Sequence, residues 1–526
     1  MQTLASTPST AAPGLLDLVF GPRRRPHPAV AAAGAVAVVA GLVLRFWTPS
    51  ALWLDEALSV NIARLPLVRI PAALSHDGAP PLYYVLLHFW MRAFGTGDFA
   101  VRSLSGLTSV VTLPFMWLAG RRVGGRRVAW VAFFLLLSSP FAIEYATTTR
   151  MYSLMVLLSV LGFLAFARAW ENPSRGRLAA LSVVTAAILY THYWGLYLVA
   201  MTGALVLWHI RRTGRGLPVF KSLALGVAAW MPWSPVFAFQ ALHTGTPWTS
   251  PAGPGDLLQV FSDFSGGGSW GALIMFATFA LFVAGVFGRP APAPAGGSPA
   301  RAGVLIELRP RPAMAPLVAV TVGTLLLAVV LGAAAGAAFV ARYTAVVLPL
   351  FVLVCSAGLA LLPGARLRGG FLAVLVLAGL LTGQSENAAP RTQAVQVAAV
   401  LNAQARPGDL VVYCPDQLGP AVNRLLTVPG VQQITFPRAI GPERVDWVDY
   451  KKVIASTDVS QFAQDAIDRL PAGRTLWLVW NNDYAGFGGD CGYLKSWLDL
   501  FRAPGVTLVG ANGRYYENEN LTRYAG

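Results

Sequence analysis

The feature that most constrains this chain is a succession of apolar runs, each close to the thickness of a lipid bilayer. A helix crossing about 30 Å of hydrocarbon needs about 20 apolar residues. Eleven stretches approach that length: 28–46, 99–120, 128–146, 151–168, 178–191, 193–210, 219–240, 269–288, 313–333, 338–362 and 370–385. The weakest are 178–191 and 193–210, which are short and divided only at THYWG. With 55% hydrophobic and 12% charged residues, the composition is that of an integral membrane protein rather than a soluble one.

The charges between the runs supply an independent reading of topology. If Arg23, Arg24 and Arg25 are cytoplasmic, alternate loops should be basic. They are: RRVGGRR (121–127), RAWENPSRGR (168–177), HIRRTGRG (209–216), the four arginines of 289–312, and ARLRGG (365–370). The opposite set holds the long first loop (47–98), EYATTTR, THYWG, the 241–266 loop and FVARYT. Eleven crossings from a cytoplasmic N-terminus then leave the residues after 385 outside. The N-terminal basic cluster precedes a long apolar run with no small-residue cleavage site, so it reads as a tail before a retained helix. PPLYYVLLHFWMRAF (80–94) is apolar, but a crossing there would put RRVGGRR on the wrong side. It reads instead as an interfacial helix on the outer side, started by Pro80 and Pro81.

A formal charge of +16 raises the question of nucleic acid. The distribution answers it. Residues 1–385 hold 27 Lys and Arg against 10 Asp and Glu, whereas residues 386–526 hold 13 against 14. The excess follows the membrane loops, and no nucleic-acid partner is expected.

Beyond 385 the pattern changes. NAAPRTQAVQ reads as a linker, DLVVYC (409–414) and TLWLVWN (475–481) as buried strands, and AVQVAAVLNAQA and YLKSWLDLF as helices. The alternation predicts a small α/β domain over 386–526, after a transmembrane module over 1–385. Cys414 and Cys491 both belong to this domain; they are a disulfide or two free thiols, depending on the compartment. RPAPAPAGGSPARAGV (289–304) reads as a flexible cytoplasmic loop.

Only ten acids occur in residues 1–385, and seven fall on the outer side: Asp55, Glu56, Asp77, Asp98, Glu144, Asp256 and Asp263. His76, Arg150, His192, Tyr193, Arg342 and Tyr343 share that side. Each has an ordinary explanation. Asp55 and Glu56 suit the N-terminus of a helix starting near ALSVNIARL, His76 and Asp77 suit a solvated loop, and Arg342 suits snorkelling. As a set they suit a lipid-linked anion better, because ionisable groups at membrane depth are costly. Arginine grips phosphate in a fork, and a carboxylate at the lipid boundary can take a proton from an acceptor hydroxyl. Displacement at a sugar's anomeric carbon would then be one inverting step.

WLDEALS, HDGAPPLYYVLLHFW, SSPFAIEYATTTRMYSL, THYWGLYL and ARYTAVVLPLF, in that order over about 53–351, resemble the GT-C-fold glycosyltransferases of the family 39, protein-mannosyltransferase-like group. That group includes the lipid A aminoarabinose transferase and the protein O-mannosyltransferases. The resemblance implies a GT-C fold of about eleven transmembrane helices with a C-terminal extracytoplasmic α/β domain. It implies a polyprenyl-phosphate sugar donor, and transfer on the outer face of the cytoplasmic membrane to an envelope glycan, lipid or protein. By position it makes Asp55 the base with Glu56 beside it, and Arg150 and Arg342 the phosphate binders, with Tyr343 next to Arg342. Tyr83, Tyr152 and Tyr343 match recurrent tyrosines, and His76, Asp77, His192 and Tyr193 stand as further substrate-binding candidates. Two positions depart from the pattern. Ala79 stands where relatives often carry histidine, and Thr148 stands where they often carry an acid. Glu144, one helical turn before Thr148, is the candidate replacement. A divalent metal held by Asp55, His76, Asp77 and His192 is a further possibility, without diagnostic spacing.

Two other functions compete with this one. A transporter or flippase of lipid-linked glycan should show internal repeats and broken helices near the midplane, and no convincing repeat is present. An inactive protein binding envelope glycan would not need the Asp55–Glu56 pair.

Overall fold

The computed structural model describes residues 27–245, 252–290, 304–307, 309–335 and 339–526. The basic tail at Arg23, Arg24 and Arg25 and the middle of the 289–304 loop lie outside the described residues.

The chain is helical from Pro28 to Ala388 apart from its loops and a short ribbon. After α1 (Pro28–Leu44) the first loop folds into α2 (Leu54–Ala63), α3 (Ile70–Asp77) and α4 (Leu82–Phe94). There follow α5 (Asp98–Leu137), α6 (Pro140–Ala146), α7 (Tyr152–Glu171), α8 (Arg175–Thr191), α9 (Trp194–Thr213), α10 (Leu217–Trp230) and α11 (Ser234–His243). The body closes with α12 (Asp256–Ser265), α13 (Gly268–Phe287), α14 (Ala315–Ala335), α15 (Leu348–Leu359) and α16 (Ala365–Ala388). Six stretches are long and apolar enough to cross a membrane by length and composition: α5, α7, α10 with α11, α13, α14 and α16. α1 and α15 are shorter apolar helices. The chain is a multi-pass membrane protein.

The basic RRVGGRR segment lies inside α5, and its glycines explain how. Gly124 and Gly125 leave helical geometry, Gly125 at φ 73°, a conformation open to residues without a Cβ. A Cβ on Gly120 would stand 2.7 Å from Cα of Ala129. The two arms of α5 therefore run back alongside one another, and RRVGGRR is the hairpin between them. At THYWG the backbone also breaks: His192 is extended between α8 and α9. Elsewhere glycine sets how closely helices approach. Cβ atoms on Gly285 of α13 and Gly358 of α15 would fall 2.2 and 2.0 Å from carbonyl oxygens of the opposite helix, so the two backbones touch as at small-residue crossings in membranes.

The described ends of the 289–304 loop pair as an antiparallel ribbon, β1 (Gly288–Pro290) with β2 (Val304–Ile306). After α16 and α17 (Ala394–Gln404) the remaining strands form one sheet: β3 (Leu410–Cys414), β4 (Gln432–Thr435), β5 (Leu476–Trp480), β6 (Val506–Val509) and β7 (Asn520–Tyr524). Its order is β4-β3-β5-β7-β6; β4, β3 and β5 are parallel, and β7 is antiparallel to both its neighbours. The unbroken apolar run of β3 follows from burial on both faces: Leu410, Val412 and Cys414 join one core, Val411 and Tyr413 the other. The helices of this region are α18 (Gly419–Leu425), α19 (Tyr450–Ser456), α20 (Val459–Asp468) and α21 (Asp490–Phe501). A disulfide joins Cys414 at the end of β3 to Cys491 in α21.

One helix belongs to both halves. Leu54 and Leu58, four residues apart on α2, are buried in the core of the sheet region. The first turn of the same helix carries Asp55 and Glu56.

Candidate active site

α2 starts after an extended Trp53 with no side-chain cap, so two acids in its first turn complement the helix dipole. Their side chains nevertheless have different surroundings. Glu56 is fully buried and saturated. Arg102, in the first turns of α5, donates to it from Nε (2.8 Å) and Nη2 (2.5 Å), and the Thr149 amide donates at 2.9 Å. Arg102 also donates to the carbonyls of Ser50 and Ala51, and Arg391 approaches Glu56 to 3.8 Å. Burial pushes the Glu56 carboxyl up, but Arg102, Arg391 and the Thr149 amide outweigh it and hold the group below its ordinary value.

Asp55 is the opposite case. Its Oδ2 is buried without a hydrogen-bond partner. Arg150 Nε lies 3.9 Å away and Arg342 Nη1 3.7 Å away, near enough for attraction and too far for hydrogen bonds. Nε of both arginines is likewise buried and unpartnered. Arg150 sits in the turn between α6 and α7, and Arg342 in a 3₁₀ turn, Ala341–Val346, before α15. Three segments remote in sequence thus bring one carboxylate and two guanidiniums together with hydrogen-bonding capacity to spare.

Around this triad, Arg150 Nη1 donates weakly to Ser59 Oγ and Tyr84 Oη at 3.3 Å each. Tyr84 Oη donates to Asp77 Oδ2 at 2.8 Å, and burial raises the Asp77 carboxyl. The Tyr152 ring is buried with its hydroxyl unpartnered. His192 packs between Tyr152 and Tyr343, with ring centres 5.9 and 4.8 Å away. Its Nδ1 accepts from the Trp194 amide, which helps to turn the chain into α9. The Arg342 guanidinium lies 5.9 Å from the centre of the Tyr343 ring. Glu144 lies beyond, with Arg391, Glu386, Arg342 and Asp263 as charged neighbours.

Several expectations need correction. Glu56 has no free oxygen with which to act beside Asp55. Tyr83 is buried and bonded to Ser105; its neighbour Tyr84 is the tyrosine that reaches Arg150. Tyr193 points away from the triad, bonded to Gln240 and Trp233 of the α10–α11 region. His76 is held by Asp446 of the sheet region at 2.8 Å. Asp55, His76, Asp77 and His192 do not form a metal site: among the described residues no three His, Cys, Asp or Glu side chains converge as ligands. The two groups within 4 Å of Asp55 Oδ2 in ion pairs are the guanidiniums of Arg150 and Arg342.

Three contributors escaped the sequence reading. In the sequence Arg102 is one cation near the start of the 99–120 run, and Tyr84 adjoins Tyr83. Arg391 looked like part of a linker, yet it donates to the Thr147 carbonyl and to the hydroxyls of Thr147 and Thr148. At the position where relatives often carry an acid, this chain has a threonine bonded to an arginine. A cavity of about 300 Å³ adjoins this second cluster, lined in part by Ser50, Asp98, Phe99, Arg102 and Thr147. Asp55, Arg150 and Arg342 are not in its wall.

Helical body, loop helices and appended sheet together define a multi-pass membrane protein of the GT-C fold, mannosyltransferase-like in the family it resembles. The family model described as dolichyl-phosphate-mannose-protein mannosyltransferase matches residues 78–238. Among solved structures, ArnT from Cupriavidus metallidurans is similar in its apo state (TM-score 0.60) and bound to undecaprenyl phosphate (TM-score 0.59). Each is 15% identical and covers 94% of this chain and 97% of that chain. No curated protein matches the sequence.

Proposed function

We propose that this protein transfers a sugar from a polyprenyl-phosphate donor to an envelope glycan, lipid or protein at the outer face of the cytoplasmic membrane, with inversion. The observation that carries the reading is the unpartnered Asp55 Oδ2 between two guanidiniums that also keep unused donors. A buried acceptor beside buried donors, none of them bonded, is costly unless a ligand completes it. A phosphodiester has the charge and the oxygens to accept from the two guanidiniums, and an acceptor hydroxyl has the proton to donate to Asp55.

In this reading Arg150 and Arg342 bind the donor phosphate. Asp55 accepts the proton of the acceptor hydroxyl as its oxygen bonds to the anomeric carbon. The bond from that carbon to the phosphate oxygen breaks on the opposite face, and polyprenyl phosphate leaves with its charge held by the two arginines. Glu56 positions: it locks Arg102 and the Thr149 amide, which fixes the turn that presents Arg150. Glu144 balances Arg342 and Arg391. Asp77 and Tyr84 orient Arg150, while Tyr152, His192 and Tyr343 wall the site.

The same reading has eleven crossings, a cytoplasmic N-terminus, a transmembrane module over 1–385 and an extracytoplasmic domain over 386–526. ArnT bound to undecaprenyl phosphate supports the choice of a polyprenyl-phosphate donor. The test is sugar transfer in nanodiscs from a panel of radiolabelled polyprenyl-phosphate sugars to envelope extract, with Asp55→Asn beside the wild type. Transfer by the wild type that is lost in a folded mutant is expected. Equal transfer by both would overturn the role of Asp55.

A further inference from the structure

The sheet region contributes one exposed aromatic residue to the neighbourhood of Asp55. Tyr516 precedes β7, and 75% of its surface is exposed. It is not in a free loop. The Tyr516 amide donates to the Pro390 carbonyl, the Glu517 amide to the Arg391 carbonyl, and the Gln393 amide back to the Glu517 carbonyl. Thr392 and Glu517 form a parallel bridge. The segment is therefore pinned to the stretch that sends Arg391 toward Glu56. Arg342, Asp55, Glu517 and Glu144 are charged neighbours of the Tyr516 phenol. Its ring also meets Trp53 edge to face, with centres 5.2 Å apart. Trp53 is the residue before α2, two positions ahead of Asp55.

We propose that the Tyr516 ring, braced edge to face against Trp53, is an aromatic platform beside the site that holds a saccharide ring. Three features support this. An exposed aromatic ring offers an apolar face beside a charged site, which matches the mixed apolar and hydroxylated surface of a pyranose. The ring is held in place before binding, because its backbone is paired and it packs edge to face with Trp53, so little ordering cost remains. The two rings come from opposite halves of the chain, so the sheet region takes part in substrate recognition directly. This proposal rests on the transferase reading above and identifies what meets the sugar, as distinct from the phosphate.

The test measures transfer by wild type, Tyr516→Ala and Tyr516→Phe, using whichever polyprenyl-phosphate sugar of the panel the wild type turns over. Binding of radiolabelled undecaprenyl phosphate, which has no sugar, is measured alongside. Tyr516→Ala should raise one KM roughly tenfold, leave undecaprenyl phosphate binding within twofold, and be largely rescued by Tyr516→Phe, which keeps the ring. A rise in the donor KM places the donor sugar on the platform; a rise in the acceptor KM places an acceptor saccharide there. Tyr493→Ala, on the exposed side of α21, is the control and should change neither. If both KM values of Tyr516→Ala match the wild type while Asp55→Asn is inactive, the platform is wrong and the transferase reading stands. Equal weakening of undecaprenyl phosphate binding would also overturn it, because the ring would then be acting on the lipid phosphate.

Discussion

Asp55 and Glu56 adjoin one another in the chain, but the regions around them are built on opposite plans. On the Glu56 side every charge is met: Arg102 grips the carboxylate with two nitrogens, the Thr149 amide closes it, and Arg102 also ties the Ser50 and Ala51 carbonyls. On the Asp55 side the same kinds of group stop 3.7 to 3.9 Å apart, and an oxygen and two nitrogens have no partner. A buried ion pair with complete hydrogen bonding holds backbone segments in register, whereas an incomplete one stores binding capacity. In the function proposed above, the difference separates scaffold from site within a single turn of helix, which adjacency in the sequence cannot do.

Substitutions can break this contrast. The largest effect is expected from Asp55→Asn: a fall in kcat of about 10²–10⁴-fold, with a smaller drop in melting temperature than Glu56→Gln because Asp55 Oδ2 has no hydrogen bond to lose, measured by transfer assay and thermal shift. Glu56→Gln should do the reverse in kind. It leaves Arg102 buried without its counter-charge, at a cost of about 3–5 kcal/mol, read as a large drop in thermal midpoint. A Glu56→Gln/Arg102→Gln double mutant should recover part of that loss, because no charge is then stranded; a drop equal to the sum of the single mutants would show that the two do not act as a pair.

Smaller effects sharpen the comparison. Arg342→Ala should raise the donor KM about 10- to 100-fold while altering stability less than Glu56→Gln does; an unchanged donor KM would remove Arg342 from phosphate binding. The smallest effect concerns pH. Burial raises the Asp416 carboxyl to about 7 and that of Glu517 to about 8. Between the ordinary carboxylate range near pH 4 and those values, the folded state holds protons that the unfolded chain has released. Stability from these groups is therefore greatest in acid and is lost as pH rises through 7 to 8. The thermal midpoint of the sheet region should fall between pH 5 and pH 8, and Glu517→Gln should flatten that slope.

Much of the fold was legible because the bilayer imposes a simple rule. Apolar length and alternating basic loops marked the helical body, and strand-like runs around Cys414 and Trp480 marked the sheet. The charges of RRVGGRR marked a loop between two runs; that Gly125 turns the chain there with a positive φ came from the structure. The site was legible only in part. Arg150 and Arg342 stood out because cations on the acidic side of the topology need a reason. Arg102 and Arg391 did not, because nothing local distinguishes an arginine that locks a carboxylate from one that faces water. Tyr83 and Tyr84 are adjacent on α4, and only packing decides that one meets Ser105 and the other Arg150.

By itself the sequence determined which segments are apolar enough for a membrane, where the chain must turn, and which few charges such a body would not carry without use. The tertiary structure decided which acid is free and which is locked, and that Leu54 and Leu58 carry α2 into the core of the sheet region. It also decided that Tyr516, more than 450 residues from Trp53 along the chain, packs against it two positions ahead of Asp55. The physical reason is that hydropathy and turn propensity are properties of short stretches, whereas the state of a buried charge depends on partners brought together only when the chain has folded.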